Sequence, residues 1–346
     1  MTIVCPVPVA ATERIQLGHG SGGKMSAALL RERFLPHFSN DILGQLGDAA
    51  IVDVDGHALA ISTDTFVVQP LEFPGGNIGS LAVHGTVNDL AMMGARPAWL
   101  SAGFVLEEGL PLDVLDRIVT AMAAAARAAG VLLITGDTKV VERGKADGVF
   151  INTTGIGRRS ADFAPAPARA RPGDAVIVSG PLGRHGIAIM SAREGIAFET
   201  EVTSDSAALT PLVELLRARV GDSVHTLRDP TRGGMASALN EIAAAARVGI
   251  ALQETALPIP APVAAACEML GFDPLYVANE GVLVAFVAER WADAAVDTLR
   301  SHPLGRAAMR IGRVTSEHKG LVVLETGIGG TRVVDMLPGD QLPRIC

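Results

Sequence analysis

Two periodicities run through the chain, and they divide it into elements. Residues 49–54 and 58–62 are short β-like runs separated by the turn pair Asp55-Gly56. Residues 25–34 carry a helical pattern, as do 81–94. A longer amphipathic helix is predicted over 112–129, with Leu115, Ile118, Val119 and Met122 on one face and Gly130 closing it. Residues 131–135 and 149–156 read as strands. Proline and alanine then cluster over 161–172, the best candidate for a domain linker. The same grammar restarts with the turn Arg171-Pro172-Gly173-Asp174 and a strand over 175–179. Helices are predicted near 184–194, 206–219, 233–247, 260–270 and 289–299. Strands alternate with them near 249–253, 281–287, 309–315, 320–324 and 331–335.

Both halves mix helices with runs of adjacent strands, which predicts two α+β domains rather than a doubly wound parallel sheet. The expected divisions are a segment 1–42, a domain 43–160, a domain 171–335 and a tail 336–346. The tail holds two prolines and a glycine, which prevent a helix, and too few apolar residues for a packed strand pair. Extended, its residues span at most roughly 36–40 Å, enough to carry the terminal Cys346 into a site elsewhere on the protein. A disordered end without a role is the competing reading.

Bulk properties narrow the function classes. At 346 residues the chain exceeds one ordinary core. No stretch approaches the roughly 20 apolar residues of a bilayer-spanning helix. Residues 1–10 lack the basic start of a secretory signal. Lys plus Arg number 29 against 37 Asp plus Glu, a net charge of −8 that disfavours a nucleic-acid binder. Cys5, Cys267 and Cys346 cannot form a disulfide framework and lack zinc-site spacing, so a reducing cytoplasm is the expected setting. Cys267 is expected in the core on the 260–270 helix. From position alone, Cys346 reads equally as an incidental exposed thiol.

The chemistry-bearing residues come next. The segment Gly18-His19-Gly20-Ser21-Gly22-Gly23-Lys24 nearly matches a P-loop, but Met25 stands where the magnesium-binding hydroxyl belongs, and no apolar strand precedes it. Its small residues still offer backbone N–H groups to phosphate oxygens, and Lys24 adds a charge. Asp48, Asp64, Asp89 and Asp229 each sit in apolar or glycine-rich surroundings, where a lone carboxylate is costly and a hard cation with phosphate ligands offsets that cost. Gly85, one turn before Asp89, is expected to leave room for such a cluster. For any one Asp, a cap or turn role is the plainer reading. Lys139 follows an apolar strand, and Glu280 lies between apolar runs, where desolvation suits a general base. A simple ion pair or two solvated charges is the alternative. His84 and Asn88 share a helix face and are expected to be a satisfied hydrogen-bonding pair, with a ligand role as the minor alternative.

Together these motifs resemble the hydrogenase maturation factor HypE family, within the aminoimidazole ribonucleotide synthetase-like (PurM-like) superfamily. The resemblance rests on GHGSGGK at 18–24, GDAAI at 47–51, STDTFVV at 62–68 and VNDLAMMGA at 87–95. It continues through GDTKVV at 136–141, NTTGIG at 152–157, RPGDAVIVSGPLGRHG at 171–186, RDPTRGG at 228–234 and ANEG at 278–281. The final PRIC at 343–346 is the mark that separates HypE from the wider superfamily.

The resemblance implies a homodimer with ATP near Gly20, Ser21, Gly22, Gly23 and Lys24, contacts from Asp137 and Asn152, and magnesium held by Asp48, Asp64, Asp89 and Asp229. It implies that the carbamoyltransferase HypF loads a carbamoyl group onto the Cys346 sulfur. ATP-dependent dehydration then leaves a thiocyanate, whose cyano group passes to iron on the HypC–HypD complex. Glu280 is the expected base, with Lys139 orienting or stabilising charge. Rival readings are a purine-pathway synthetase or thiamine-phosphate kinase, neither of which accounts for Cys346. A selenophosphate synthetase should carry Cys or selenocysteine in the Gly-rich loop, and a nonenzymatic scaffold should act without ATP.

Overall fold

The computed structural model describes residues 14–38, 40–195, 202–339, 342 and 344–346. Cys5 and the Pro343 of the terminal motif lie outside the described residues. Lys24–Leu29 (α1) runs through a π-helical stretch, Leu30–Phe34, into Leu35–Phe38 (α2). Ala50–Val54 (β1) and His57–Phe66 (β2) form the hairpin expected around Asp55-Gly56. Glu72–Phe73 (β3) and Gly76–Asn77 (β4) make a small ribbon that leads into the helix Ile78–Met92 (α3). Ala95–Glu107 (β5), Leu112–Ala129 (α4), Leu132–Val141 (β6) and Val149–Arg159 (β7) complete this half. Among the described residues its main sheet has the order β1-β2-β7-β5-β6, antiparallel except between β5 and β6.

The Asn77 side chain caps α3, accepting from the Gly79 and Ser80 amides at 2.9 and 3.1 Å. This helix is buried on nearly every side, because β2 and β7 flank it on one side and α4 and the second half of the chain on others. Its apolar residues are accordingly spread around the whole helix rather than along one stripe, and its polar members His84, Thr86, Asn88 and Asp89 find partners or the acidic cluster. On α4, Ile118, Met122, Ala125 and Ala126 are buried, whereas Val119 is 46% exposed. The predicted face therefore includes one wrong member: at 100° per residue Val119 rotates away from Ile118 towards solvent. Strand β6 is exposed along almost its whole length, including Leu133, Ile134 and Val140.

The second half contains Asp174–Val178 (β8), Arg184–Glu194 (α5), Thr210–Val220 (α6), Val224–Arg228 (β9), Gly234–Ala246 (α7) and Gly249–Gln253 (β10). It continues with Ala261–Leu270 (α8), Val284–Ala288 (β11), Ala292–Arg300 (α9), Met309–Thr315 (β12), Val322–Glu325 (β13) and Thr331–Val333 (β14). Its sheet among the described residues runs β14-β13-β10-β12-β8-β11-β9, antiparallel except between β10 and β13. Val176 and Val178 face α7, while Ala175 and Ile177 face α6 and α9. Both faces of β8 are covered, which is why its sequence is a continuous apolar run rather than an alternation. This is the expected α+β architecture.

Strands β5 and β9 were not apparent from the sequence. The 161–172 segment is packed against its surroundings: Phe163 and Ala170 are buried, and Arg169 donates to the Ala164 carbonyl at 2.7 Å. Cys267 packs on α8 with Val263, Ala266 and Ile187, as expected of a core residue. No helix of the described residues is long and apolar enough to cross a membrane. The two halves meet where α3 touches β9 and α6, and the conspicuous polar residues gather at that seam.

Candidate active site

Four chain segments bring acidic side chains to the seam. Asp48 precedes β1, Asp64 stands on the α3-facing side of β2, Asp89 lies near the end of α3, and Asp229 follows β9. Asp48, Asp89 and Asp229 each offer a carboxylate oxygen, and these three atoms lie within 4.8 Å of one another. The Ser62 hydroxyl ties the group together, contacting Asp89 Oδ2 at 2.6 Å and the Asp48 carbonyl at 3.1 Å. Asp64 lies outside that tight group but within its field: its charge raises the pKa of Asp89 and Asp229. Gly85 does not leave the expected space. A Cβ there would stand 2.9 Å from the Phe66 ring and 3.6 Å from Asp64 Oδ2, so the ring already fills the position.

Electrostatics at this cluster are dominated by burial. Asp48 is ion-paired with Arg228, which also reaches Glu241 at 2.6 Å. Burial nevertheless wins over the guanidinium and pushes Asp48 up to about 7, with Asp229 and Glu241 adding to the rise. Asp229 is raised to about 6, again first by burial. Asp64 and Asp89 are raised for the same leading reason. Glu280 is 2% exposed and is raised well above the carboxylate range by burial, then by Asp229, Asp64 and Asp205. Asp48 Oδ2, Asp229 Oδ2 and Glu280 Oε1 find no hydrogen-bond partner among the described residues. The converging Asp48, Asp89 and Asp229 carboxylates, two of them with an unpartnered buried oxygen, fit a hard divalent cation that keeps further positions for phosphate oxygens or water.

The Gly-rich loop lies directly over the Asp229 loop. Leu17–Gly20 is a short 3₁₀ turn and α1 begins at Lys24, so this is not a strand-to-helix P-loop. Gly22 has φ +75°, and a Cβ there would meet the Arg232 carbonyl oxygen at 2.8 Å; only glycine allows the two loops to approach this closely. Arg232 donates to the Gly20 carbonyl at 2.9 Å and stands 3.9 Å from Asp64. Its pKa is raised, first by charge at Cys346 and then by Asp64, Glu280 and Asp89, so the guanidinium lies between the tail and the acidic cluster. Two cavities flank it. One, of about 300 Å³, is lined by Gly22, Ser26, Arg228, Asp229 and Thr231. The other, of about 150 Å³, is lined by Ser21, Gly23, Tyr276 and Cys346. Lys24 contacts Asp335 at 2.5 Å, on the side towards the tail.

The end of the chain is docked, not trailing. Cys346 is 7% exposed and packs with Ile345 in the cluster that also contains Phe66, Val68, Ile189 and Ala278. The Val67 amide donates to a terminal carboxylate oxygen of Cys346 at 3.0 Å, and the Gln69 amide to the Arg344 carbonyl at 3.3 Å. Arg344 returns a bond to the Val67 carbonyl at 3.0 Å and pairs with Asp147. Ladder-like backbone bonding thus replaces the apolar content that the tail sequence lacks.

Other expected site residues stand elsewhere in this chain. Asp137 faces Gly103, which faces Asn152, which faces Thr65, forming one row across β6, β5, β7 and β2. The neighbouring row contains Thr153, whose hydroxyl meets Thr86 of α3 at 2.5 Å. Asp137 and Asn152 therefore occupy the face away from α3. Lys139 bonds Asp137 at 2.7 and 2.9 Å near the exposed edge. His84 and Asn88 are satisfied separately rather than by each other. His84 meets Ser206 at 2.9 Å, and Asn88 bonds the Ala207 carbonyl and the Leu209 amide. Sequence reasoning passed over Arg228, Arg232 and Ser62. The first two were visible only as basic residues flanking Asp229.

Comparisons with known proteins agree with this layout. The AIR synthase related protein N-terminal domain matches residues 46–159, and the corresponding C-terminal domain matches residues 171–325. Carbamoyl dehydratase HypE of Cupriavidus necator is 55% identical over 334 residues, spanning 96% of this chain and 95% of that protein. A crystal structure of the hydrogenase maturation protein HypE in complex with ATP superposes with a TM-score of 0.81 at 53% identity, covering 96% of this chain and 100% of that one. A HypE–HypF complex gives 0.85 at 45% identity, with 90% and 100% coverage. The chain belongs to the carbamoyl dehydratase HypE family of the PurM-like superfamily.

Proposed function

We propose that this protein dehydrates an S-carboxamide on its own Cys346 to a thiocyanate at the expense of ATP, supplying the cyanide ligand of a nickel–iron hydrogenase centre. The observation that carries this reading is the terminal residue itself, docked beside the Gly-rich loop and Arg232 at the edge of the acidic cluster. The known relatives are carbamoyl dehydratases, and one was crystallised with ATP, which supports the nucleotide assignment.

The chemistry follows from the groups present. A carboxamide oxygen is a poor leaving group. Its attack on the γ-phosphorus of ATP breaks the bond to ADP and turns that oxygen into phosphate. Loss of two protons from nitrogen and of phosphate from carbon then leaves C≡N on sulfur. The segment 20–24 is the phosphate cradle we assign, with Lys24 and Arg232 as positive charges. The amides of Ser21, Gly22 and Gly23 donate here to Gly18, Ser26 and Ser21 and would have to turn to the phosphate oxygens. Asp48, Asp89 and Asp229, with Asp64 alongside, would hold magnesium, which when bound neutralises charge on the phosphates. Glu280 is the proton acceptor we assign: burial among like charges raises its proton affinity, so its ionised form is a stronger base than an ordinary carboxylate.

Asp137, Lys139 and Asn152 fit this scheme if they are supplied by a second copy. The exposed β6 edge and the uncovered sheet face support a homodimer in which they approach the neighbouring subunit's nucleotide. HypF as carbamoyl donor is supported by the HypE–HypF complex of a relative. Transfer of the cyano group to iron on HypC–HypD, in the cytoplasm, completes the proposal.

Cys346→Ala tests the carrier role. It should abolish the HypF-dependent adduct and all substrate-dependent phosphate release while leaving ATP affinity within about twofold, measured by calorimetry. Undiminished carbamoylation in that variant would place the carrier on another residue.

A further inference from the structure

We propose that His185 is the positioning residue for the reactive tail, holding the last peptide carbonyl so that the Cys346 side chain is presented to its cavity. The proposal rests on Cys346 being the carrier, but its physical content concerns the docked tail alone.

His185 lies on the first turn of α5 and is fully buried. Its Nε2 is 3.0 Å from the Ile345 carbonyl oxygen, and its Nδ1 is 2.8 Å from the Ser204 hydroxyl. A carbonyl can only accept, so Nε2 must carry the proton and donate. Burial lowers the imidazole pKa to about 4, which keeps the ring neutral and makes Nδ1 an acceptor. Ser204 must then donate to it. Ser204 Oγ in turn accepts from the Ser206 amide at 3.0 Å, so its proton is the one available for His185. Donor and acceptor roles are fixed along the chain Ser206–Ser204–His185–Ile345 without a free choice of tautomer.

The hold is specific to the end of the chain. Phe73 meets the imidazole edge-to-face with centroids 5.6 Å apart, fixing the ring plane. Arg193, on the last turn of the same helix, donates to the Arg344 carbonyl at 2.8 Å and to the Gln69 carbonyl at 2.6 Å. Helix α5 thereby contacts the carbonyls of Arg344 and Ile345, and the Val67 amide takes the terminal carboxylate of Cys346. The His185 bond engages the peptide immediately before Cys346. Loss of that donor would strand a buried carbonyl, and the cheapest relief is to let the tail lift away.

The test uses the whole protein and the two buried cysteines as paired reporters. Alkylation by iodoacetamide is followed site by site at Cys346 and at Cys267, which is 1% exposed on α8. In His185→Leu, the Cys346 rate should rise about tenfold while the Cys267 rate is unchanged. His185→Gln, whose side-chain amide supplies a donor where Nε2 stands, should restore protection towards wild type. Single-turnover dehydration of the carbamoylated tail should fall in His185→Leu and recover in His185→Gln, with ATP affinity unaltered. Equal Cys346 rates in wild type and His185→Leu would overturn the proposal. So would parallel acceleration of Cys346 and Cys267, which would mean general loosening. The alkylation arm does not depend on catalysis, so failure of the carrier reading would leave it standing and be visible separately.

Discussion

Asp48 keeps an arginine partner and still sits near 7, because desolvation at this depth outweighs one guanidinium. Asp229, raised to about 6, is in the same position. The sign of the consequence is opposite to that of ordinary surface carboxylates. Both groups hold protons in the folded protein at a pH where the unfolded chain, near 3.8, has released them. The stability they contribute is therefore complete below about pH 4 and is lost as pH rises through 6 and 7. In metal-free protein the thermal midpoint should fall between about pH 5 and about pH 7.5, and magnesium should reduce that fall. Asp229→Asn should flatten it. Scanning calorimetry checks this, and an equally steep fall in the variant would remove Asp229 from the cluster. The acidic residues were legible in the sequence because each carboxylate stood in glycine-rich or apolar company. Arg232 and His185 were not, because their roles depend on a loop and a tail that meet them only after folding.

At the level of elements, long helices and apolar strands were easiest to place. Helix α5 falls on residues 184–194 as the pattern required. Strand β5 escaped because Pro97, Ser101 and Gly103 interrupt its apolar alternation and its pairing with β7 slips between Pro97 and Trp99. Strand β9, Val-His-Thr-Leu-Arg, is short and half polar, although four of its five residues are buried. Lys139 and Asp137 looked like site residues and lie on β6, away from the acidic cluster of their own chain. The element-scale prediction is complementation. Asp89→Asn and Lys139→Ala proteins should each be impaired, and an equimolar mixture allowed to exchange subunits should recover roughly a quarter of wild-type dehydration, since half the dimers have one intact site of two. Recovery that stays at the single-variant level in a mixture shown by native mass spectrometry to contain heterodimers would confine Lys139 to a role outside the shared site.

Across the whole molecule, the two halves bring together a candidate site that neither contains alone. Asp48, Asp64 and Asp89 come from the first, Arg228, Asp229, Arg232 and Glu280 from the second, and the chain's last residues close over their junction. The terminal cysteine was visible as a sequence feature, yet its docking was not: backbone bonds to Val67 and Gln69 carry no side-chain signature. Docking at one end of a tail with prolines and glycine suits the proposed carrier thiol, which would meet a donor, an internal site and an acceptor in turn. The most direct test of that account is the intact mass of the protein after HypF and carbamoyl phosphate have loaded Cys346, followed before and after magnesium–ATP. A carboxamide adduct should appear that loses the mass of one water only when magnesium–ATP is present, with the change confined to the C-terminal peptide. A loaded tail that keeps its full mass with ATP, or loses water equally without it, would contradict the account.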